Sequence, residues 1–137
     1  MFLDHISIQC ADFDASLAFY DAVCGALGVG RALDFSGGEH GPKSVVGFGP
    51  TDPFPMPQLW IGAQQDGDGF RQTHIAVYAK DKSAVDAFYQ AAVSQGAEVL
   101  HQPRRWTEYE APGTIYYAAF VRDPDGNNIE AVHHGMA

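Results

Sequence analysis

The stretch Asp4-His5-Ile6-Ser7-Ile8-Gln9-Cys10-Ala11-Asp12 occurs twice in this chain. The second copy is Thr73-His74-Ile75-Ala76-Val77-Tyr78-Ala79-Lys80-Asp81, with His5 and His74 69 positions apart. The same offset aligns Ala18-Phe19-Tyr20 with Ala87-Phe88-Tyr89. Because all these matches keep one register without a gap, they indicate two copies of one supersecondary unit, each beginning with a strand that carries a His.

The rest of the chain repeats the same order of elements. Alternation predicts strands, and apolar residues at helical spacing predict helices, with Asp12 or Asp14 capping the first helix and Asp81 the second. The expected strands are 3–10, 31–35, 43–48 and 58–62, then 71–78, 97–101, 115–122 and 128–133. A turn cluster at 36–42 and a long loop at 102–114 separate some of them. We therefore predict an α+β fold of two tandem βαβββ modules, about 1–63 and 70–137, within one domain and joined by a polar hinge at 64–69.

The composition of the chain restricts the classes of binding partner that we expect. The chain has 137 residues and a net charge of −9, with only 8 basic residues. Nucleic acids and anionic membranes bind basic patches, so we expect neither as a partner. The sequence contains no long apolar run and no signal-peptide pattern, and the expected location is the cytoplasm.

His5, His74 and Glu130 are the residues most suggestive of chemistry. Ile129 and Ala131 flank Glu130, so strand alternation places the carboxylate on the opposite face from these apolar neighbours. If the modules pack about a pseudo-twofold axis, the two imidazoles and the carboxylate converge on one cavity.

Two neutral imidazoles and one carboxylate form a metal-ligand set with open positions. The set suits Fe(II), Mn(II), Zn(II) or Ni(II), and the open positions would take water or a substrate with two adjacent oxygens. A polar cavity without a metal is the alternative interpretation of the same residues.

The chain resembles the vicinal oxygen chelate superfamily, which groups glyoxalase I, bleomycin-resistance proteins and extradiol dioxygenases. The resemblance covers nearly the whole chain and is most specific at Asp123-Pro124-Asp125-Gly126-Asn127-Asn128-Ile129-Glu130. It implies paired βαβββ modules that form an open, cup-shaped mixed sheet with the helices outside. It also implies His5, His74 and Glu130 as metal ligands, and a homodimer.

One position departs from the glyoxalase I pattern, in which the last strand of the first module supplies a fourth ligand, a Glu. Here that strand reads Pro57-Gln58-Leu59-Trp60-Ile61-Gly62. Depending on the alignment, Trp60 or Gln58 takes the ligand position, and neither is a carboxylate. We expect Trp60 to form a wall of the substrate cavity, and glyoxalase I itself is disfavoured.

Several other polar or aromatic residues are candidates for the site. Tyr hydroxyls can donate protons, so we take Tyr109 and Tyr117 as candidate catalytic residues, with amphipathic packing as the alternative for these and for Tyr116. Arg105, like its neighbour Arg104, is a candidate for binding a substrate carboxylate or phosphate, with a solvated loop charge as the alternative interpretation of both. The expected substrate-binding residues are Gln9, Trp60, Tyr78 and Arg105.

Three functions remain open from the sequence. The first is a metal-dependent enzyme (isomerase, lyase, dioxygenase or thiol transferase) acting on a small substrate with adjacent oxygens. The second is a metal-free protein that binds an antibiotic or metabolite, and a purely structural or regulatory module is a third alternative. The residues also leave open whether the modules pair within one chain or across a dimer.

Overall fold

Two βαβββ modules are present in the computed structural model, which describes residues 4–36, 44–63 and 73–137. The first module contains β1 (Ile6–Cys10), α1 (Phe13–Ala26), β2 (Gly30–Asp34), β3 (Val45–Gly49) and β4 (Leu59–Ala63). The second contains β5 (His74–Tyr78), α2 (Lys82–Ser94), β6 (Val99–Arg105), a 3₁₀ turn (Thr107–Tyr109), β7 (Thr114–Arg122) and β8 (Asn128–Met136). The predicted α+β class and the order of elements are confirmed.

The strands form two four-stranded mixed sheets, in the orders β1-β4-β3-β2 and β5-β8-β7-β6. In each module the first and last strands pair in parallel, and the other neighbours are antiparallel. Among the described residues no strand pairing joins one sheet to the other. The strands β1 and β5 are therefore edge strands of their own sheets.

Equivalent Asp residues begin the two helices. Asp12 accepts a hydrogen bond from the backbone N–H of Ala15 at 3.0 Å, and Asp81 accepts one from Ala84 at 2.8 Å. Each side chain satisfies one of the N–H groups that a helix leaves unpaired in its first turn. Asp12, rather than Asp14, is thus the cap of α1, and the predicted cap of α2 is confirmed.

The helices pack beside each other, and both sheets bury one face against them. The largest side chains that this layer buries completely include Tyr20, Phe88, Ile61 and Ile129. We call the opposite face of each sheet, turned away from the helices, its outer face. His74, Ala76 and Tyr78 lie on the outer face of β5, because Ile75 and Val77 take the alternate positions in the core.

The turn between β7 and β8 ties the two modules together. The Tyr20 hydroxyl of α1 donates to the buried Asp123 carboxylate at 2.8 Å, and Asn127 donates to the same carboxylate from its backbone and its amide. Asp125 accepts from the backbone N–H of Ala11 at 2.9 Å. The segment 123–130, which carries the family resemblance, therefore connects the two modules in addition to supplying Glu130.

The prediction of a loop at 102–114 was wrong for its first residues, because β6 continues to Arg105. Pro103 lies inside β6, which is tolerated since β6 is an edge strand whose register with β7 shifts between His101 and Arg104. The last strand also runs further than predicted, to Met136. The predicted hinge at 64–69 and residues 37–42 of the predicted turn cluster lie outside the described residues. No helix in the described ranges combines the length and apolar character that crossing a bilayer requires.

Candidate functional site

Glu130 lies in the middle of β8 and points to the outer face of the second sheet. Its neighbours Ile129 and Ala131 are buried against the helices, so alternation turns the carboxylate the other way. The residue is only 2% exposed. Such burial of a carboxylate is costly unless it is hydrogen-bonded, and both of its oxygens have partners.

The two partners of Glu130 come from β5 and β7. His74 Nε2 lies 3.1 Å from Glu130 Oε2, and the Tyr116 hydroxyl donates to Oε1 at 2.5 Å. Burial raises the pKa of Tyr116, and the hydrogen bond to Glu130 raises it further. The phenol therefore stays protonated near neutral pH and acts as a donor that holds the carboxylate in place.

These residues form the polar end of an open cavity of about 580 Å³. The wall is otherwise largely aromatic, and the residues that line the cavity are His74, Leu100, His101, Trp106, Tyr109, Tyr116, Phe120, Asn128 and Glu130. The indole of Trp106 is fixed by a hydrogen bond from Nε1 to the Ala118 carbonyl at 3.0 Å, and it packs edge-on against Phe120. The cavity thus has a rigid aromatic side and a small polar end.

His5 is not brought to this cavity. Its Nδ1 lies 2.5 Å from Asp4 Oδ1, and it lines a second cavity of about 450 Å³ together with Gln58 and Tyr78. Within the described residues, no group of three or more His, Cys, Asp or Glu side chains is arranged to hold a metal ion. One chain therefore assembles His74 and Glu130, and leaves His5 apart from them.

The register of the strands decides which residue of the first module corresponds to Glu130. Trp60 pairs with Ser7 across β4 and β1, as Glu130 pairs with Ala76 across β8 and β5. Ser7 and Ala76 are themselves equivalent in the repeat, so Trp60, and not Gln58, holds the position of Glu130. The indole stacks on Phe35 with ring centroids 6.1 Å apart and an interplanar angle of 7°.

The structure separates the three candidate tyrosines. Tyr117 packs against the helix side of β7, and its hydroxyl donates to Asp86 at 2.9 Å. It therefore lies on the face opposite Glu130, and Tyr116 takes the place at the cavity that the sequence analysis gave to Tyr117. Tyr109 lines the cavity, is half-exposed and stacks on Trp106.

The candidate substrate-binding residues do not gather in one place. Arg105 is absent from the lining of the Glu130 cavity and forms two hydrogen bonds with Glu110, at 2.6 and 2.8 Å. This pairing lowers the pKa of Glu110 and raises that of Arg105. Gln9 and Trp60 belong to the first sheet, and Tyr78 is 69% exposed beside the second cavity.

His101 and Asn128 line the cavity, although the sequence analysis assigned them no role there, and Tyr116 lines it where Tyr109 and Tyr117 were the preferred candidates. Strand alternation could have found Asn128, because it is two positions from Glu130 and points to the same face. Tyr116 reaches that face because it pairs with His134, which lies on the same side of β8 as Glu130. That ladder register is a property of the folded sheet. His101 lies in the part of β6 where the register shifts, so alternation alone does not place it.

Comparisons with known proteins agree with this architecture. The family model described as Glyoxalase/Bleomycin resistance protein/Dioxygenase superfamily matches residues 2–131. A protein from Synechocystis described as a probable lactoylglutathione lyase is 33% identical, over 96% of this chain and 95% of its own length. The metallothiol transferase FosB from Shouchella clausii is 41% identical over 46% of this chain, and the match covers 38% of FosB.

Solved structures share the fold. The structure of a glyoxalase/bleomycin resistance protein from Albidiferax ferrireducens has a TM-score of 0.75 and 24% identity, covering 97% of this chain and 99% of the other. Lactoylglutathione lyase from Agrobacterium tumefaciens has a TM-score of 0.61 and 22% identity, covering 95% of this chain and 91% of the other. At these identities the likeness concerns the fold alone.

Proposed function

Because this chain belongs to the glyoxalase/bleomycin resistance protein/dioxygenase superfamily, we propose that it is a metal-dependent enzyme acting on a small substrate. The observation that supports this most directly is the buried Glu130 carboxylate beside His74 Nε2 at one end of an open cavity. An imidazole nitrogen and a carboxylate oxygen suit Fe, Mn, Zn or Ni. A divalent cation bound there would polarise a substrate that has two adjacent oxygens.

The chain's own residues have separable roles in this proposal. His74 and Glu130 are the ligands of one module. Tyr116 is a positioning residue, since its hydroxyl occupies Glu130 Oε1 and leaves Oε2 on the side of His74. Tyr109, at the cavity wall, is the candidate for donating a proton to the substrate or orienting it. Tyr117 does not enter the proposal, because its hydroxyl is on the opposite face of β7.

The third ligand, His5, is proposed to come from a second copy of the chain. In one chain His5 lies apart from Glu130, its side chain is 54% exposed, and β1 and β5 are edge strands of their sheets within the described residues. A homodimer in which the first sheet of one copy meets the second sheet of the other would bring the exposed imidazole to the His74–Glu130 pair. This arrangement is the exchange across a dimer that the sequence left open.

Mixing two variants tests that arrangement. A His5→Ala homodimer lacks His5 at both sites, and a Glu130→Ala homodimer lacks the carboxylate at both. A heterodimer of the two restores one complete site only if each site takes residues from both chains. We expect one metal ion per mixed dimer, measured by elemental analysis after co-refolding; no metal in the mixture would contradict the exchange.

The class of reaction is a separate question from metal binding. The relatives are named for two reactions, a lyase and a thiol transfer. Trp60 at the position equivalent to Glu130 supports a site with three protein ligands, since indole is not a metal ligand. Assays with the hemithioacetal of methylglyoxal and with catechols would separate the lyase from the dioxygenase alternative, and absence of turnover with both would leave thiol transfer to be assayed.

Metal analysis of the purified protein is the test of the proposed function itself. We expect stoichiometric divalent metal in the parent chain and loss of that metal in Glu130→Ala, with Trp60→Ala as the matched control that retains it. Circular dichroism must show that both variants are folded. A parent chain that binds no metal after supplementation with Fe(II), Mn(II), Zn(II) and Ni(II) would contradict the proposal.

A second candidate function is metal-free binding of an antibiotic or metabolite. The observation that favours it is the aromatic character of both outer faces, with Trp106 and Phe120 in one module and Trp60 stacked on Phe35 in the other. Such a protein would bind its ligand with unchanged affinity after chelation of all metal. The same metal analysis therefore distinguishes the two functions.

A further inference from the structure

Asn127 lies between a backbone donor and a carboxylate, directly before β8. The residue is 2% exposed. Its Oδ1 accepts a hydrogen bond from the backbone N–H of Thr73 at 2.9 Å, and its Nδ2 donates to Asp123 Oδ2 at 2.8 Å. The backbone N–H of Asn127 donates to the other oxygen of the same carboxylate. A side chain that satisfies both neighbours needs an acceptor on one side and a donor on the other, which is the property of an amide.

Thr73 is attached to this turn by both of its backbone polar groups. Its N–H donates to Asn127 Oδ1, and its carbonyl accepts from the backbone N–H of Asn128 at 2.9 Å. His74 follows Thr73 directly and pairs with Asn128 at the start of the parallel ladder. Among the described residues, β8 is the one strand that pairs with β5. The two bonds of Thr73 therefore fix where β5 begins along β8.

The placement of β5 matters because the two proposed ligands come from different strands. His74 Nε2 lies 3.1 Å from Glu130 Oε2. An ion such as Zn(II) binds an imidazole nitrogen and a carboxylate oxygen at about 2.0–2.2 Å. One residue along a strand spans about 3.3 Å, so a shift of β5 by a fraction of a residue separates the imidazole from an ion on the carboxylate. The attachment that fixes β5 along β8 thus also fixes the ligand pair.

The first module has no equivalent of the Asn127 amide. Trp60 holds the position of Glu130, so Pro57 stands where Asn127 stands in the second module. Proline has no polar side-chain group with which to hold the residue before β1. That residue is Asp4, whose side chain is 93% exposed. The amide clamp is therefore found in the module that assembles a His–Glu pair.

We propose that Asn127 is a positioning residue of the metal site, which holds β5 so that His74 lies beside Glu130. The inference rests on the proposed function in that it concerns the same pair of ligands. Asn127 is not among the residues that line the cavity, and it acts through the backbone of Thr73. The alternative is that Asn127 only stabilises the turn through Asp123. The two roles use different atoms of the amide, Oδ1 for Thr73 and Nδ2 for Asp123, so they can be tested separately.

Metal affinity of Asn127→Ala is the first test. We expect this variant to bind Zn(II) about 10- to 100-fold more weakly than the parent chain, as for residues that orient a ligand. Competition with a chelating dye measures the affinity, and circular dichroism shows whether the variant is folded. Unchanged Zn(II) affinity in folded Asn127→Ala would overturn the proposal.

Tyr20→Phe is the matched control, because it disturbs the same carboxylate from the other module. The Tyr20 hydroxyl donates to Asp123 Oδ2 at 2.8 Å. Its loss leaves Asp123 with the donors from Asn127 and Asp125, and leaves the bond between Asn127 and Thr73 in place. We expect lower stability with unchanged Zn(II) affinity. Equal loss of affinity in Tyr20→Phe and Asn127→Ala would show that stability of the turn, and not placement of β5, is responsible.

Amide hydrogen exchange of the metal-free chain, followed by NMR, tests the placement without any metal. We expect Asn127→Ala to accelerate exchange of the β5 amides that pair with β8 about 5- to 10-fold more than exchange in β1, the effect of about one hydrogen bond. Tyr20→Phe should show no such preference for β5. Acceleration that is equal in β1 and β5 of Asn127→Ala would contradict the proposal.

The parent chain supplies a test that needs no variant. Thr73 precedes β5, so its amide is protected only if the Asn127 side chain holds it. We expect it to exchange as slowly as the amide of Ala79 at the other end of β5, which donates to the Val132 carbonyl at 2.8 Å. An unprotected Thr73 amide would overturn the proposal even if Asn127→Ala does not fold.

These outcomes separate the positioning role from the proposed function. A parent chain that binds stoichiometric metal, with unchanged affinity in Asn127→Ala, would refute the positioning role alone. A parent chain that binds no metal, with a protected Thr73 amide and selective acceleration in β5, would refute the metal-dependent enzyme and leave the placement of His74 beside Glu130 supported.

Discussion

The outer faces of the two modules differ much more than their inner faces do. Both modules have an Asp-capped helix and a parallel pair of first and last strands. On the outer face, the second module carries Glu130 beside His74, and the first carries Trp60 stacked on Phe35. A duplicated scaffold therefore keeps the packing that stabilises each half, while the outer-face positions take unrelated chemical roles.

Trp60 and Glu130 hold equivalent positions at the centre of the two outer faces, and their neighbours explain why the two residues are not interchangeable. Trp60 has room because Gly47 lies across the ladder from it, whereas Phe120 holds the corresponding place opposite Glu130. Glu130 in turn needs Tyr116 and His74, which satisfy both carboxylate oxygens. Exchanging the central residue alone would leave a buried carboxylate without partners in one module and an indole without space in the other.

The largest expected effect comes from Tyr116→Phe, which breaks the polar set of the second outer face. Loss of the donor leaves Glu130 Oε1 buried and unpaired, and we expect the free energy of unfolding to fall by about 1–3 kcal/mol. Metal affinity should fall about 10- to 100-fold, as for other residues that position a ligand. Urea denaturation and metal titration measure the two effects.

Tyr117→Phe is the matched control for that variant. The adjacent hydroxyl is bonded to exposed Asp86 on the other face of β7, so its loss should leave metal affinity unchanged. Equal loss of metal affinity in both variants would contradict a specific role for the Tyr116 hydroxyl beside Glu130.

Gly47→Ala tests the packing on the first outer face. A Cβ at Gly47 would lie 2.5 Å from Pro57 Cβ and 2.9 Å from the Trp60 ring. We expect a loss of about 1–3 kcal/mol in the free energy of unfolding, because these rigid rings must shift. Gly62→Ala is the control, since its nearest neighbour would be 3.6 Å away. Similar stabilities of the two variants would mean that Trp60 is loosely packed.

The smallest effect concerns a feature that the modules share, the Asp cap of the helix. Hydrogen bonds from the Ser83 hydroxyl and the Ala84 N–H lower the pKa of Asp81 below its ordinary value of 3.8. A carboxylate with a lowered pKa in the folded state contributes stability above its unfolded pKa and loses it as the pH falls through the folded value. The capping contribution should therefore be constant near neutral pH and decline below about pH 4.

Asp81→Ser isolates that dependence, since serine caps a helix without titrating in this range. The difference in Tm between the parent chain and the variant should narrow as the pH is lowered from 5 toward 2, because protonation removes the charge of the Asp81 cap. A difference that stays constant over this range would show that the charge of Asp81 makes no contribution to the cap.

Much of the fold was predictable because it depends on local patterns. Alternation around His5 and His74, helical spacing after Asp12 and Asp81, and the tight turn at Asp123 each describe a few consecutive residues. Where long-range pairing decided the outcome, prediction was less successful. The extension of β6 through Pro103 depends on its position at a sheet edge, which no property of residues 102–105 alone reveals.

The candidate site divides in the same way. The sequence placed Glu130 on the face opposite Ile129 and Ala131, and the structure agrees, because side-chain direction alternates along any strand. The sequence did not distinguish Tyr116 from Tyr117 as the neighbour of Glu130, since that requires the register between β7 and β8. It also left Trp60 and Gln58 as alternatives, which the pairing of β4 with β1 resolves in favour of Trp60.

The amino-acid sequence by itself thus determined the duplication, the order of elements in each module and the face on which Glu130 lies. Only the tertiary structure decided which side chains meet there. It joined His74 and Tyr116 to Glu130, sent Tyr117 toward the helices, and left His5 outside the cavity of its own chain. The physical reason is that periodicity specifies the direction of a side chain, whereas contacts between distant strands depend on register and on how the sheets pack.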